Sequence, residues 1–283
     1  MPLARCLARL SLPLLALLCS LALIVPALAV PVDALPASAA VPGGVAVLPT
    51  GMQAVSAHYR ESRVLLAEFD GQQYAVIGIP LSATPGAHAL ELRDATGTRS
   101  TLNFTVTAKQ YLEQRLTITN ERQVNPNNED MVRINRESAE MNAAFSRWDE
   151  SLQPVLRMRA PTEGVRSSSF GLRRFFNDQP RAPHSGMDIA APEGTPIVAP
   201  APGVIVATGH YFFNGNTIIL DHGHGLISLY CHMNTIDVAV GEVVEAGQQI
   251  GAVGQTGRVT GPHLHWSINL NNVRVDPALF LVD

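Results

Sequence analysis

The feature that most restricts the fold of this chain is a succession of short apolar runs separated by glycine, proline and asparagine. The runs are five to nine residues long, and several of them alternate apolar with polar residues. Runs of this kind, with turn residues between them, are typical of antiparallel strands rather than helices. They fall into two groups, at residues 45–107 and 195–270. We therefore predict a mainly β protein with two β regions.

The first group of runs lies in residues 44–110, where Asp70-Gly71 and Pro85-Gly86 supply turn residues. The runs are VAVLP at 45–49, RVLLAEF at 63–69, YAVIGIP at 74–80, HALELRD at 88–94 and TLNFTVT at 101–107. No set of side chains with a catalytic arrangement is evident among them. This pattern predicts a small antiparallel β-sandwich as an N-terminal domain.

Residues 128–152 change to a helical period. Their apolar residues recur at spacings of three, four and seven, which predicts an amphipathic helix. The apolar positions are Met131, Ile134, Met141, Phe145, Trp148 and Leu152. Asn127 or Asn128 can cap the first turn, and Glu129 and Asp130 suit the positive end of the helix dipole. We expect this helix to join the two β regions.

The second group of runs predicts an antiparallel β catalytic domain over residues 161–283, preceded by a helical linker region over residues 111–160. Its runs are TPIVAP, GVIVATG, NTIILDHG, GLISLYCHM and HLHWSINL, and no helix longer than one turn is evident. The fragment GEVVEAGQQIGAVG is similar to half of a lipoyl or biotinyl carrier domain. Such carriers need a modified lysine in a turn, and Lys109 is the only lysine of this chain. A carrier function is therefore excluded.

Residues 1–29 have the pattern of a signal peptide. Arg5 and Arg9 give a positive start, an apolar stretch follows, and Ala27-Leu28-Ala29 supplies a cleavage site with small residues. Residues 30–43, rich in alanine, proline and valine, predict a flexible lead-in. We expect an exported, periplasmic protein with no stable membrane span after cleavage. The alternative is a membrane-anchored protein whose leader is not cleaved.

Charge and cysteine content exclude other classes of protein. The net charge of −4 provides no overall basic field, so we expect no nucleic acid partner. Cys6 and Cys19 lie in the predicted leader, which leaves Cys231 without an internal partner for a disulfide. Stability must then come from apolar cores and from a bound metal.

Seven of the nine histidines lie between positions 184 and 265, and the spacing of two of them is informative. Residues two apart in a strand point to the same face. His263 and His265 should therefore project together, with Leu264 and Trp266 on the other face. Two imidazoles on one face suit a metal ligand beside a catalytic base, although two exposed strand histidines would show the same spacing.

His184 and Asp188 add an imidazole and a carboxylate four residues apart, which are both good zinc ligands. Gly186, which lies between them, permits a backbone turn that aims both side chains at one point. Together with a histidine of the HLH motif they supply two histidines and one aspartate. A catalytic zinc site has three protein ligands of this kind and leaves the fourth position to water.

Tyr230-Cys231-His232 ends an apolar run of the same domain. By alternation, Tyr230 and His232 should share a face while Cys231 points away as a small buried residue. His232 and one histidine of the HLH motif then remain to act on water and on a developing oxyanion. His222, His224 and His210 are interpreted as mainly structural or as lining the groove.

The region from Ser168 to Pro277 closely resembles the lysostaphin-type (LytM-like) zinc endopeptidases. The motifs that carry the resemblance occur in the order of that family. They are SSSFGLR, HSGMDIAAPEGTPIVAPAPGVI, LDHGHGLISLYCHM, GEVVEAGQQIGAVGQTG and TGPHLHW. The resemblance implies a compact, mainly antiparallel β domain with a narrow groove. It also implies an endopeptidase that holds one Zn²⁺ per chain.

Matched motif by motif, the resemblance implies that His184, Asp188 and His265 are the zinc ligands. His232 and His263 are then the catalytic residues. One of these two would take a proton from water, and the other would stabilise the oxyanion or protonate the leaving amine. The division of these roles stays open at this point.

The resemblance implies that the partners are peptidoglycan stem peptides or cross-links. In a periplasm we expect the bond between D-alanine and a diamino acid, and a glycine-rich bridge is the alternative. Some relatives have lost ligands and only activate other wall hydrolases, so a non-catalytic wall-binding module or activator is the competing function. This chain keeps all five positions, which favours an enzyme. Oligomeric state and any covering of the groove by the sandwich or the helix stay open.

Overall fold

The computed structural model describes residues 30–282, and the predicted leader of residues 1–29 lies outside them. The first strands are β1 (Val30–Pro31), β2 (Val45–Pro49), β3 (Ala54–Tyr59), β4 (Ser62–Arg63), β5 (Leu65–Phe69), β6 (Gln72–Gly78), β7 (Gly86–Asp94), β8 (Arg99–Val106) and β9 (Glu113–Leu116). A 3₁₀ turn at Glu121–Gln123 and helix α1 (Asn128–Phe145) follow. Strands predominate up to this point, as expected for a mainly β protein.

The remaining elements are also strands, apart from a final 3₁₀ turn. They are β10 (Val165–Ser168), β11 (Arg173–Phe176), β12 (Gln179–Pro180), β13 (Met187–Ala190), β14 (Pro196–Val198), β15 (Gly203–Tyr211), β16 (Gly215–Asp221), β17 (Leu226–Ile236), β18 (Val243–Val244), β19 (Gln249–Val253), β20 (His263–Leu270), β21 (Val273–Val275) and the turn Pro277–Phe280. The predicted mainly β fold is confirmed. Across residues 30–282, no helix has the length and apolar character needed to cross a membrane.

Strands β2 to β8 form the predicted N-terminal sandwich, and β1, which lies in the stretch predicted as a flexible lead-in, pairs with its strand β5. Two four-stranded sheets, ordered β1-β5-β6-β2 and β4-β3-β7-β8, pack face to face, and all their pairs are antiparallel except β1 with β5. The residues between the sheets include Ala57, Leu66, Ile77, Leu90 and Phe104. Strand β3 was not among the predicted runs, because its sequence AVSAHY contains few of the large β-branched residues that mark a strand.

The outer face of the first sheet packs against the C-terminal domain, so the two β regions share one apolar core. Val45, Leu65 and Val76 belong to the same buried cluster as Tyr230 and Trp266. The backbones approach closely at Gly78, where a Cβ atom would lie 2.5 Å from the carbonyl oxygen of Leu270. Glycine is therefore required at this contact, and the sandwich has a fixed position relative to the catalytic domain.

The C-terminal domain is built around a ten-stranded antiparallel sheet. Its main path runs β10-β13-β20-β17-β16-β15-β18, and β14, β19 and β21 attach to its members. Leu264 and Trp266 of β20 lie in the apolar core, as the alternation predicted. The neighbouring strands β13, β20 and β17 carry four of the five predicted site residues, and His184 lies in the loop before β13, so the sheet brings these residues together.

The linker region of residues 111–160 contains a strand as well as the predicted helix. Residues Glu113–Leu116 form β9, which pairs in parallel with β11 of the catalytic domain. Helix α1 begins at Asn128 with a capping box, in which the side chain of Asn127 accepts from the amide of Asp130 at 2.9 Å. The predicted cap is thus confirmed, with Asn127 as the capping residue.

Helix α1 ends at Phe145, seven residues before the predicted end at residue 152. The hydroxyl of Ser146 donates to the carbonyl of Ala143 at 3.1 Å, and Arg147 then turns away to pair with Asp221. The Arg147 Nε to Asp221 Oδ2 distance is 2.9 Å, and the carboxylate is fully buried. This ion pair with the catalytic sheet draws the chain out of the helix, although the apolar spacing continues.

The last turn of α1 packs on the catalytic sheet. Ala144 and Phe145 form a buried cluster with residues of β15, β16 and β17, which are Ala207, Ile219, Ile227, Leu229 and Cys231. Phe145 is only 5% exposed. This contact fixes the linker to the domain that holds the site.

We expect Phe145→Ala to lower the free energy of unfolding by about 3–5 kcal/mol, because it removes a buried aromatic side chain and leaves a cavity. Val132→Ala on the same helix is the matched control, since Val132 is 73% exposed. Its effect should stay within about 0.5 kcal/mol. Urea unfolding measures both, and equal stabilities of the two variants would contradict the packing of α1.

Candidate metal centre

Two adjacent strands and one loop carry the predicted metal ligands. Asp188 of β13 and His265 of β20 are paired in register, so their side chains point to the same face of the sheet. His184 precedes β13 in a loop whose backbone is tied to the turn before β11 by the bond from its amide to the Leu172 carbonyl at 2.9 Å. The sheet and this loop therefore bring the three side chains to one place.

The ligand atoms of these residues converge. The Nδ1 atom of His265 lies 2.7 Å from Oδ1 of Asp188, and Nε2 of His184 lies 2.9 Å from the same oxygen. The two nitrogens are 2.9 Å apart, and all three side chains are buried. Within residues 30–282 they form a group able to hold a metal ion.

The tautomer of His184 is set by a backbone group. Its Nδ1 lies 2.7 Å from the carbonyl oxygen of Ser169, which can only accept. Nδ1 therefore carries the proton, and Nε2 presents a lone pair to the cluster.

The tautomer of His265 follows from a second chain of hydrogen bonds. The hydroxyl of Ser267 donates to the carbonyl of Ser185 at 2.9 Å, so its oxygen accepts from Nε2 of His265, also at 2.9 Å. Nε2 thus carries the proton and Nδ1 is left with a lone pair. Burial lowers the pKa of His265 to about 4, which keeps the ring neutral at pH 7.

Three lone pairs therefore face one another, on His184, His265 and the carboxylate of Asp188. Such an arrangement is repulsive unless a cation lies among them. In a tetrahedral zinc site with bonds of about 2.0–2.1 Å, ligand atoms lie about 3.3 Å apart. A small outward movement of the three side chains would reach that spacing. The donor set and its outer hydrogen bonds fit a divalent metal ion.

The second oxygen of Asp188 is held by Arg174. Nη2 of Arg174 donates to Oδ2 at 3.0 Å, and the guanidinium is largely buried. The carboxylate is therefore ionised and oriented, with one oxygen directed into the cluster.

His232 and His263 lie beside the cluster. The imidazole centroids of His232 and His263 are 4.8 Å apart, and that of His232 is 6.1 Å from the ring of His265. Nε2 of His263 is 3.9 Å from Oδ1 of Asp188. All five predicted site residues are thus brought together in the structure.

A β-bulge, rather than alternation, brings His232 into this group. Tyr230 faces the apolar core, and strict alternation would turn His232 the same way. Between β16 and β17, however, Cys231 and His232 lie opposite the single residue Thr217, and His232 has a φ of 65°. The prediction that Tyr230 and His232 share a face is wrong, because the extra residue returns His232 to the side of His263.

Both of these imidazoles also have fixed tautomers. Nδ1 of His232 donates to the Thr256 carbonyl at 2.9 Å, and Nδ1 of His263 donates to the Gly261 carbonyl at 2.8 Å. Each Nε2 is therefore a proton acceptor. Burial, with the neighbouring His263 and His265, holds the pKa of His232 well below its ordinary value, so the ring is neutral at pH 7.

The sequence did not predict the residues that orient the five site side chains through hydrogen bonds. Ser267 had a signal, since it follows His265 by two positions on the same strand face. Arg174 lies next to the FGLR motif, but nothing in its spacing indicates a contact with Asp188. Thr256 contributes only its backbone carbonyl, as Ser169 and Gly261 do, so residue type carries no signal there.

The remaining histidines of the domain and its cysteine lie outside this group of five residues. His222 is fully buried, with Nε2 hydrogen-bonded to Ser228 at 2.7 Å. His224 packs edge-on against an aromatic ring, and His210 bonds to an asparagine. Burial raises the pKa of the Cys231 thiol to about 12, which fits its interpretation as a small buried residue.

Comparison with known proteins agrees with this geometry. Residues 182–277 match the model of peptidase family M23, and residues 38–109 match that of the peptidase family M23 N-terminal domain. A crystal structure of a Pseudomonas aeruginosa protein described as a peptidase M23 superposes with a TM-score of 0.70 at 42% identity. The match covers 85% of this chain and 94% of that chain.

Curated relatives match the catalytic part. The peptidoglycan DD-endopeptidase ShyA of Vibrio cholerae is 44% identical over 103 residues, which are 36% of this chain and 24% of that protein. The DD-carboxypeptidase/endopeptidase Mpg of Neisseria meningitidis is 42% identical over 112 residues, which are 40% of this chain and 26% of that protein. The chain thus spans about a quarter of the length of these curated relatives.

Gly186 generates a prediction about metal affinity. Its φ is not in the left-handed region, so the expected special turn is not the reason for glycine. A Cβ atom there would lie 2.5 Å from the carbonyl oxygen of Trp266 and 2.8 Å from the ring of His265. We expect Gly186→Ala to displace His265 and to weaken the binding of a divalent metal ion at least tenfold, measured by competition with a chelator.

Gly209→Ala is the matched control, because a Cβ atom there would meet nothing closer than 3.4 Å. Its affinity for the metal ion should equal that of the unchanged protein. If both variants bound the ion equally well, the close approach at Gly186 would have no role in the metal centre.

His222 generates a prediction about pH. Burial lowers its folded-state pKa from 6.5 to about 4. Between these values the unfolded chain binds a proton that the folded chain refuses, so stability falls as the pH falls from 6.5 to 4. We expect a loss of up to about 3 kcal/mol, in proportion to the shift.

In His222→Gln this part of the pH dependence should disappear, as measured by urea unfolding at pH 7 and pH 4.5. His58→Gln, at an exposed histidine of the sandwich, should keep the original dependence. Identical pH dependence in both variants would show that buried His222 is not responsible.

Proposed function

Because the chain belongs to peptidase family M23, we propose that it is an exported zinc endopeptidase that cleaves peptide cross-links of bacterial peptidoglycan. The observation that carries the proposal is the convergence of three lone pairs beside two further imidazoles. A binding module has no need for this arrangement. The names of the curated relatives support the substrate, and the predicted leader supports export to the periplasm.

His184 Nε2, Asp188 Oδ1 and His265 Nδ1 are the proposed ligands. A zinc ion held there would supply a Lewis acid that polarises both a water molecule and the scissile carbonyl. Arg174 keeps the carboxylate ionised and directed at the metal, and the serine contacts keep both imidazoles in the ligating tautomer. This chain therefore needs no rearrangement of protons before the metal binds.

His232 and His263 handle the protons of the reaction. Each presents an Nε2 lone pair, and burial keeps His232 unprotonated at neutral pH. One of the two imidazoles accepts the proton of the attacking water. The other imidazole, in its protonated form, stabilises the oxyanion or gives a proton to the leaving amine. The products are a new carboxylate and a new amine, as peptide hydrolysis requires.

The proposed bond joins D-alanine to a diamino acid of a neighbouring stem peptide. Incubating purified wall fragments with the zinc-loaded protein and mapping the new amine termini tests this directly. A new amine on the diamino acid is expected. A new amine on glycine would show that a glycine-rich bridge is the substrate. A protein that binds no zinc and releases no peptide would favour a wall-binding module instead.

Variants separate ligands from catalysts. We expect His232→Ala and His263→Ala to lower kcat/KM by about a hundredfold or more while each chain still binds one zinc. Asp188→Asn should lose both zinc and activity, because the metal loses its anionic ligand. Metal analysis beside a peptide-release assay measures both properties.

The ligand assignment has a direct internal control in the HLH motif. His265→Ala should lose zinc, whereas His263→Ala, two residues earlier on the same strand, should keep it. If His263→Ala lost zinc stoichiometrically and His265→Ala kept it, the roles of the two histidines would be reversed.

A further inference from the structure

Three arginines cluster at the edge of the metal centre. Arg174 donates to Asp188, and Arg258 lies near enough to both Arg174 and Arg181 for their charges to repel. All three side chains are partly buried but still reach the surface. The cluster therefore borders the place where a substrate must lie.

Arg258 is attached to the catalytic side of the groove. Its amide donates to the carbonyl of Phe213 at 2.8 Å, and it follows by two residues Thr256, whose carbonyl holds His232. Arg174 approaches from the opposite side, through the metal ligand Asp188. The guanidinium carbons of Arg174 and Arg258 lie 6.0 Å and 4.7 Å from the centre of the same ring, that of Phe176, so the two side chains meet beside the metal centre.

The positive charge of this cluster is not balanced. Among the described residues, Asp188 is the only carboxylate that forms an ion pair with any of the three, and it is shared with the metal centre. Arg181 and Arg258 form no ion pair within residues 30–282. Burial, with repulsion from the other two arginines, lowers the pKa of Arg258 to about 10, so it stays charged at neutral pH.

The two arginines without an ion pair, Arg181 and Arg258, donate hydrogen bonds to neutral oxygens. Arg181 donates to the carbonyls of Val124 at 2.8 Å and Pro180 at 2.9 Å and to Oε1 of Gln179 at 2.7 Å. Arg258 donates to the carbonyl of Gln123 at 3.1 Å. A guanidinium has five N–H donors, and the contacts of Arg258 described here use one of them. Spare donors and excess charge are the properties of a site for an anion.

The side chain of Arg258 is also held rigidly. Its guanidinium carbon lies 4.2 Å from the centre of the Phe213 ring and 4.7 Å from that of Phe176. Stacking between two aromatic rings fixes the plane of the donors, which favours two-point recognition of a planar carboxylate over a general attraction of anions.

We propose that Arg174, Arg181 and Arg258 form a subsite for a free carboxylate carried by the substrate residue whose nitrogen is released. This subsite rests on the proposed function and narrows it. In a cross-link from D-alanine to a diamino dicarboxylic acid, the carbon beside the acylated nitrogen bears such a carboxylate, whereas a diamino acid with a single carboxyl group, such as lysine, has none there. A glycine-rich bridge has none. The cluster therefore selects the diamino dicarboxylic acid cross-link.

Two synthetic substrates test the subsite with the zinc-loaded full chain. Both contain D-alanine joined to the diamino acid, and they differ only in whether the carboxyl beside the scissile nitrogen is free or amidated. We expect kcat/KM for the free acid to exceed that for the amide by about tenfold or more. In Arg258→Gln the preference should fall to within about threefold, mainly through loss of activity on the acid.

Three further variants complete the experiment. Arg258→Lys keeps the charge without the planar fork and should recover only part of the preference. Arg181→Gln should weaken the preference in the same direction as Arg258→Gln. Arg99→Gln, an exposed arginine of the sandwich, should leave the preference unchanged. Zinc content and thermal unfolding of each variant confirm that it is folded and loaded.

The outcomes are distinct. Equal cleavage of acid and amide by the unchanged protein would overturn the subsite while leaving the endopeptidase intact, and this comparison needs no variant to fold. An equal loss on both substrates in Arg258→Gln would show that the arginine only anchors residues 121–125. Cleavage of neither substrate by folded, zinc-loaded protein would overturn the proposed function and the subsite with it.

Discussion

The convergence of unprotonated donor atoms on one point is the constraint on which the site depends. His184 and His265 each use their one N–H group to donate a hydrogen bond away from the cluster, to the carbonyl of Ser169 and the hydroxyl of Ser267. What remains at the centre is a set of lone pairs beside the carboxylate of Asp188, and only a cation relieves their repulsion. The outer hydrogen bonds therefore determine the metal centre as much as the ligands do.

This arrangement must be held against its own repulsion, and the fold does so with a shared core. Asp188 and His265 lie on the polar face of adjacent strands whose other face carries Leu264 and Trp266 into the apolar cluster. That cluster also includes Val45 and other residues of the sandwich. Sheet pairing thus fixes the distance between ligand backbones, and packing from the N-terminal region stiffens the sheet that carries them.

The spacing of apolar residues and the order of the motifs predicted most of the strands and the ligands. Strands, alternation of side chains and types of ligand are local properties of a sequence. The strand HLHWSINL has the predicted limits, and His263 and His265 share the predicted face. The prediction failed where tertiary contacts prevail. The bulge at His232 reverses a face, the ion pair of Arg147 with Asp221 ends α1 early, and β9 pairs with a strand about 60 residues distant. None of these leaves a mark in local spacing.

The net charge of the chain differs in sign from the charge that the fold collects beside the metal centre. The chain has a net charge of −4, and from this value we excluded a general attraction to polyanions. Folding nevertheless brings three guanidinium groups close to one another at the edge of the metal centre, and only one of them is paired with a carboxylate. A field of this range acts over a few ångströms and is screened beyond about 10 Å at ordinary salt concentrations. It therefore cannot recruit a polyanion from a distance, but it can distinguish a carboxylate from an amide once a peptide lies in the groove.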